Sequence, residues 1–173
     1  MKRYAALVRG VMPTKPSMPD LARAFERAGC KEVKTVLGSG NVVFSMEATP
    51  TSTLEKRLEA TLEKQLGRRF PTMIRSVDAL KKLLAADPYA AFKLAPGSKR
   101  VITFLRGRPK TAVNLPVDLG SARIHAAQGA EVFTTYVRGA SSPEFMVLIE
   151  KSFGKDQTTR TWETIEKIVK AAG

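Results

Sequence analysis

Apolar residues recur along this chain with two alternating rhythms, and the switches between them predict its elements. Tyr4 to Val8 is a short apolar run that predicts a strand. Ser17-Met18-Pro19-Asp20 is a helix start, and Leu21, Ala22, Phe25 and Ala28 then follow at helical spacing until Gly29 supplies a stop. Val33 to Leu37 and Asn41 to Met46 are β-rich segments joined through Gly38-Ser39-Gly40, the signature of a hairpin. Ser52-x-x-Glu55 has the form of a capping box, and Leu54, Leu58, Leu62 and Leu66 form the stripe of the helix behind it, ended by Gly67. A strand is expected over Phe70 to Arg75 and a helix over Val77 to Ala86. The order βαββαβ is that of a ferredoxin-like unit, in which helices cover one side of an antiparallel sheet.

Asp87 to Ser98 holds Pro88, Pro96 and Gly97 around Tyr89 and Phe92, which predicts an ordered connection with aromatic anchors and a boundary near residue 90. Beyond it, Val101 to Leu105 is a strand, Arg123 to Ala126 and Glu131 to Val137 form a hairpin around Gly129, and Ser141-Ser142-Pro143 starts a helix bearing Phe145, Leu148 and Ile149. Trp162, Ile165, Ile168 and Val169 mark the final helix. The expected fold class is therefore α+β: a ferredoxin-like unit over 1–90 and a smaller mixed α/β unit over 91–173. Pro109 to Leu119 gives no clear pattern.

Composition narrows the chemistry. With one Cys and one His in 173 residues, neither a disulfide framework nor a Cys/His zinc cluster is attainable. No window reaches the length of apolar chain that a membrane span needs, and Cys30 stands alone, so a reducing cytoplasm is the expected location. The net charge of +13 is shared between both halves rather than gathered in a tail. Such a field favours nucleic acid, other polyanions or phosphate-bearing ligands.

Three separated segments, Val8-Arg9-Gly10, Leu37-Gly38-Ser39-Gly40-Asn41-Val42-Val43-Phe44 and Thr158-Thr159-Arg160-Thr161-Trp162, resemble in their order the DUF1697 family of bacterial proteins. The resemblance spans almost the whole chain. It implies a compact α/β architecture containing a ferredoxin-like unit, in a family whose biochemical function is uncharacterised. Some positions depart from the family pattern. Met12-Pro13-Thr14-Lys15 replaces the glycine-containing first loop, Gly38 stands where the family carries Gln, Thr161 and Glu163 replace Asn residues flanking Trp162, and Ser142-Pro143-Glu144-Phe145 replaces a Gly-Arg-Ser-Lys-like segment.

Two sets of cations are candidates for function. In a βαββαβ unit the exit of the first strand, the central hairpin and the entry to the fourth strand share one sheet edge, so Arg9, Lys15, Ser39, Asn41, Arg68 and Arg69 are expected to converge as an anion site. Thr158, Thr159 and Arg160 precede the last helix, where hydroxyls cap backbone donors and the guanidinium attracts an anion. The second set is the densest: Lys93, Lys99, Arg100, Arg106, Arg108 and Lys110 fall within 18 residues free of Asp and Glu. Strand alternation is expected to place Arg100, Arg106 and Arg108 on one solvent-facing stripe, opposite Val101, Thr103 and Leu105. Trp162 is available for stacking on a flat ligand, but its place on the apolar stripe favours packing.

Catalytic patterns are weak, and the sequence leaves open whether the protein is an enzyme. His125 has no neighbouring relay partner, Cys30 no CxxC mate, and the glutamates of the late helices no metal spacing. No cofactor is implied, because P-loop and dinucleotide-binding patterns are absent. Val42 stands where an RNA-recognition strand would need an aromatic, so sheet packing is the better reading of Val42 and Phe44. Three functions remain: a non-enzymatic, weakly specific nucleic-acid or polyanion binder; a protein acting on or binding a small phosphorylated ligand through the loops near Arg9 and Asn41; and a protein-interaction scaffold.

Overall fold

The computed structural model describes residues 1–12, 15–137 and 144–173. The expected helix start at Ser141-Ser142-Pro143 and the residues Pro13 and Thr14 lie outside that set. The described chain is a mixed α/β protein with two antiparallel sheets and five helices. It divides into two compact units, Met1–Ala85 with Ile165–Gly173, and Ala86–Thr164. The boundary expected near 90 leaves the whole final helix in the second half, whereas here Ile165–Gly173 groups with the first unit.

The first unit contains β1 (Lys2–Val8), α1 (Met18–Arg27), β2 (Lys31–Val36), β3 (Asn41–Met46), α2 (Thr51–Leu66), β4 (Thr72–Ser76) and α3 (Val77–Ala86). Its strands lie in the order β2-β3-β1-β4, every neighbouring pair antiparallel. Strand alternation puts Tyr4, Ala6 and Val8 on one face beside Val42, Phe44 and Ile74, and the stripes Leu21, Phe25 and Leu54, Leu58, Leu62 pack there. Phe44 lies between Tyr4 and Phe25, with ring centroids 5.7 and 5.6 Å away. Ala5, Leu7, Val43 and Met73, on the opposite face, are buried as well.

Helix α1 starts as its sequence predicts, with the Ser17 hydroxyl accepting from the Asp20 amide at 3.2 Å. Helix α2 does not. Pro50 precedes its first turn without a side-chain cap, and Glu55, assigned to a capping box, is 2% exposed and turned toward β4. Its carboxylate accepts from the Ile74 amide at 3.0 Å and lies 3.8 Å from Arg75, while Glu59 one turn later accepts from the Thr72 amide at 2.8 Å. Two carboxylates at i and i+4 thus satisfy the outward amides of Thr72 and Ile74 on the edge strand, a use with the same sequence spacing as any exposed helical pair.

The second unit holds a short 3-10 helix (Pro88–Ala91), β5 (Ser98–Leu105), β6 (Val117–Leu119), β7 (Ala122–Gln128), β8 (Glu131–Val137), α4 (Glu144–Phe153) and β9 (Gln157–Thr161), which leads into α5 (Trp162–Ala172). The sheet order is β6-β7-β8-β5-β9. Tyr89 is the anchor its sequence context suggests: its hydroxyl lies 2.6 Å from the Val101 carbonyl and 3.1 Å from that of Thr134, and its ring meets Phe92, Phe133 and Trp162 edge-on. Leu105, Ile124, Val132, Leu148 and Ile149 form a further core.

Strand β9 is new relative to the sequence reading. Gln157-Thr158-Thr159-Arg160-Thr161 lacks an apolar alternation, yet Leu105 to Val101 pairs with it residue by residue, and the Thr103 and Thr159 hydroxyls meet at 3.0 Å. Thr158 and Thr159 are therefore strand residues, not caps. The hydroxyl next to α5 belongs to Thr161, which accepts from the Thr164 amide at 3.3 Å.

Candidate functional site

The three connections expected to meet do so, through two backbone hydrogen bonds and one from a side chain to a backbone carbonyl. The Val8 amide donates to Gly40 at 2.8 Å, the Arg9 amide donates to Pro71 at 2.8 Å, and Arg68 donates to the Gly10 carbonyl. Within this junction the polar side chains take different roles. Asn41 is wholly buried, its amide donating at 3.0 Å to both the Val36 carbonyl and the Ser39 hydroxyl, so it closes the hairpin from inside. Arg9, Ser39 and Arg69 do not line the neighbouring cavity; Lys15 and Arg68 do.

That cavity, of about 700 Å³, lies in the first unit between α1, the segment before it, and the chain that leaves α2. Lys15, Arg23, Arg27 and Arg68 are its cations and Asp20 its carboxylate, with Met12, Pro16, Ala24, Leu66 and Phe70 as the apolar lining. Asp20, Arg23 and Arg27 sit at i, i+3 and i+7, which places them along one side of α1 beside the buried stripe of Leu21 and Phe25. Arg23 pairs with Asp20, and Arg27 donates to the Gln65 side chain. Arg68 spreads its guanidinium 4.1 Å above the Phe70 ring, a contact that fixes the plane of the fork. The hydroxyl of Ser17, then Arg23, holds the Asp20 carboxyl below its usual range, so it is ionised at neutral pH and the lining keeps three net positive charges.

Sequence reasoning missed Arg23, Arg27 and Gln65. The signal for the two arginines was present in their helical phase. What could not be read was the return of the chain past Gln65 to Phe70 beside that side of α1.

The dense basic run does not form one stripe. Arg100 shares its strand face with Ile102 and Phe104, which are fully buried, because this sheet buries residues of both parities and the alternation of solvent and core fails. The Arg100 guanidinium lies over Trp162 at 5.1 Å, Lys99 is 3.9 Å from Glu163, and Arg106 is clamped by Asp156 through contacts of 2.7 and 2.9 Å. Lys93 is exposed on the connection before β5, while Arg108 and Lys110 project from the loop after it. Trp162 is 6% exposed and edge-on to Tyr89, which makes it a packing residue. Arg160 donates to the Thr158 hydroxyl at 2.6 Å and the Thr159 carbonyl at 2.9 Å, and burial lowers its pKa to about 10.

His125 stacks on Phe92 at 4.7 Å with Nε2 2.7 Å from the Thr135 hydroxyl; burial, then Arg123, holds it below the usual range for histidine. Among the described residues no three His, Cys, Asp or Glu side chains gather as metal ligands, and no helix is long and apolar enough to cross a membrane. Burial pushes the Cys30 thiol up to about 12 against the pull of Arg57. At pH 8 a thiol reagent should therefore modify native Cys30 much more slowly than free cysteine, and normally once urea unfolds the chain. Fast modification of the folded protein would contradict this burial.

The chain matches, over residues 1–134, the sequence profile described as "Protein of unknown function (DUF1697)". It belongs to the DUF1697 family. The match takes in the whole first unit up to Ala85 and continues into β8. No curated protein matches it. Among solved structures, the conserved bacterial protein SP0830 from Streptococcus pneumoniae has a TM-score of 0.67 at 20% sequence identity, over 99% of this chain and 98% of that one. The likeness shows that this DUF1697 member shares its fold with that protein along the full chain.

Proposed function

We propose that this DUF1697 protein binds a small phosphate-bearing ligand in the cavity beside α1. The observation that carries the reading is the meeting of Lys15, Arg23, Arg27 and Arg68 around one concavity with a single opposing carboxylate. Three of the four are arginines, whose planar forks match phosphate oxygens two at a time. Gln65 and Phe70 fix the forks of Arg27 and Arg68 before any ligand arrives, which reduces the ordering cost of binding. The ligand is small because the cations face a bounded cavity, whereas the cations of the basic run are dispersed over Asp156, Glu163 and Trp162.

Pyrophosphate is the probe, titrated calorimetrically. Arg23→Gln with Arg27→Gln should weaken it at least tenfold, since each charge-assisted hydrogen bond contributes about 1.5–3 kcal/mol. Arg69→Gln, outside the cavity, should leave it unchanged. Equal affinity in the double variant overturns the proposal. So does an oligonucleotide that binds more tightly than pyrophosphate and loses affinity steeply with salt, because that is the behaviour of a multi-phosphate interface.

A further inference from the structure

The cavity beside α1, at about 700 Å³, is of the size that holds a whole small-molecule ligand rather than a phosphate group alone. One member of its lining opposes an anion. Asp20 stands ionised among Lys15, Arg23, Arg27 and Arg68. A carboxylate has about four acceptor positions. Arg23 meets one oxygen, Oδ1, and the Ser17 hydroxyl lies beside the group, yet the side chain is half exposed, so acceptor positions are left for a ligand.

The polar groups are ordered along α1. Asp20 is in the first turn, Arg23 follows one turn on, and Arg27 is in the last turn, held by Gln65. From Asp20 to Arg27 the helix rises about 10 Å. A pyrophosphate on the arginines therefore leaves the Asp20 end of the cavity to water. Whatever extends to that end donates hydrogen bonds, because a carboxylate only accepts, and is uncharged, because an ammonium would face four cations. It is not a flat base: Phe70, the aromatic residue of the lining, is 2% exposed with Arg68 over its ring, so no face is open for stacking. Hydroxyl groups on a carbon frame meet these demands, and Met12, Pro16 and Leu66 offer contact to the carbons.

On the reading of this cavity as a phosphate site, we infer that its ligand is a sugar phosphate, with the phosphate held by Arg27 and Arg68 and hydroxyl groups donating to Asp20. Asp20 is then a selector. Its charge disfavours a bare anion, and its oxygens favour one that carries hydroxyls.

Ribose 5-phosphate and glucose 6-phosphate, titrated calorimetrically beside cyclohexylmethyl phosphate, a monoester of similar size without hydroxyls, test this. At least one sugar phosphate should bind about tenfold tighter than the hydroxyl-free ester. Asp20→Ala should weaken that sugar phosphate about fivefold and tighten pyrophosphate about twofold, since one loses an acceptor and the other a like charge. A purely structural Asp20 would move both the same way. The Ser17 cap survives the substitution, because its donor is the Asp20 amide. Two sugar phosphates no tighter than the ester, or shifts of equal sign in Asp20→Ala, overturn the inference. Pyrophosphate binding that is still lost in Arg23→Gln with Arg27→Gln would then leave the phosphate site standing, whereas pyrophosphate indifferent to those changes removes site and sugar together.

Discussion

Glu55→Ala is expected to lower the unfolding free energy by about 3 kcal/mol or more, read from urea denaturation. Three costs combine in that figure. The Ile74 amide, on a fully buried residue, loses its acceptor; Arg75, whose side chain is only 11% exposed, loses the carboxylate 3.8 Å away; and a void opens between α2 and β4. Glu55→Gln keeps an oxygen to accept from Ile74 and loses only the charge, so its cost should be about half as large. Combining Glu55→Gln with Arg75→Met removes both charges together, and the pair should be less destabilising than the two single changes summed. A Glu55→Ala variant within about 1 kcal/mol of the parent would mean that water replaces the carboxylate.

Gly40→Ala is the second large effect, expected at about 3 kcal/mol. Gly40 has φ +88°, where an L side chain costs about 1–2 kcal/mol. A methyl there would stand 2.6 Å from the Val8 carbonyl oxygen and 3.0 Å from the Val11 side chain, closer than real contacts of this kind. Neither neighbour yields easily, because the Val8 amide donates to Gly40 itself and holds the two backbones together. Gly67 is the control: φ +80° with nothing within 4 Å, so Gly67→Ala should cost about 1 kcal/mol from backbone conformation alone. If both alanine variants were destabilised equally, close approach at the hairpin would not be the cause.

These two residues also show where sequence can and cannot be read. Gly40 was recognisable, since Gly38-Ser39-Gly40 between two β-rich runs specifies a turn whatever the rest of the fold does. Helices α1 and α3 were legible for a similar reason: their apolar spacing is local, and the structure begins α3 at Val77 and ends it at Ala86, as expected. Glu55 was misread because Ser52-x-x-Glu55 satisfies a local motif while a tertiary demand, the amides of β4, determines its direction. Strand β9 was hidden by its polar composition, which fits a cap as well as a strand until β5 is seen beside it. The three-residue β6 was too short to produce a pattern.

The candidate cavity was half legible. Lys15 and Arg68 were identified from topology, because the connections that carry them converge at the end of one sheet. Arg23 and Arg27 were not, since a charged helix side is ordinarily solvated and only the chain after α2 turns it into a wall. The basic run misled in the opposite direction. Its density in sequence was real, but Arg100, Lys99 and Arg106 are dispersed by contacts to residues 162, 163 and 156, more than 45 positions away.

The carboxylates of α2 have a consequence for how the first unit behaves in crowded solution. A sheet normally ends in unsatisfied amides on which a foreign strand can nucleate. Here Glu59 and Glu55 occupy the Thr72 and Ile74 amides of the β4 border, and the β2 border is irregular between Lys31 and Lys34 and carries Lys31, Glu32 and Lys34 exposed along it. Intermolecular sheet growth is thus opposed at both margins, by occupied donors on one side and by charge and a broken ladder on the other, and fibril formation from the native state has no ready template in this sheet.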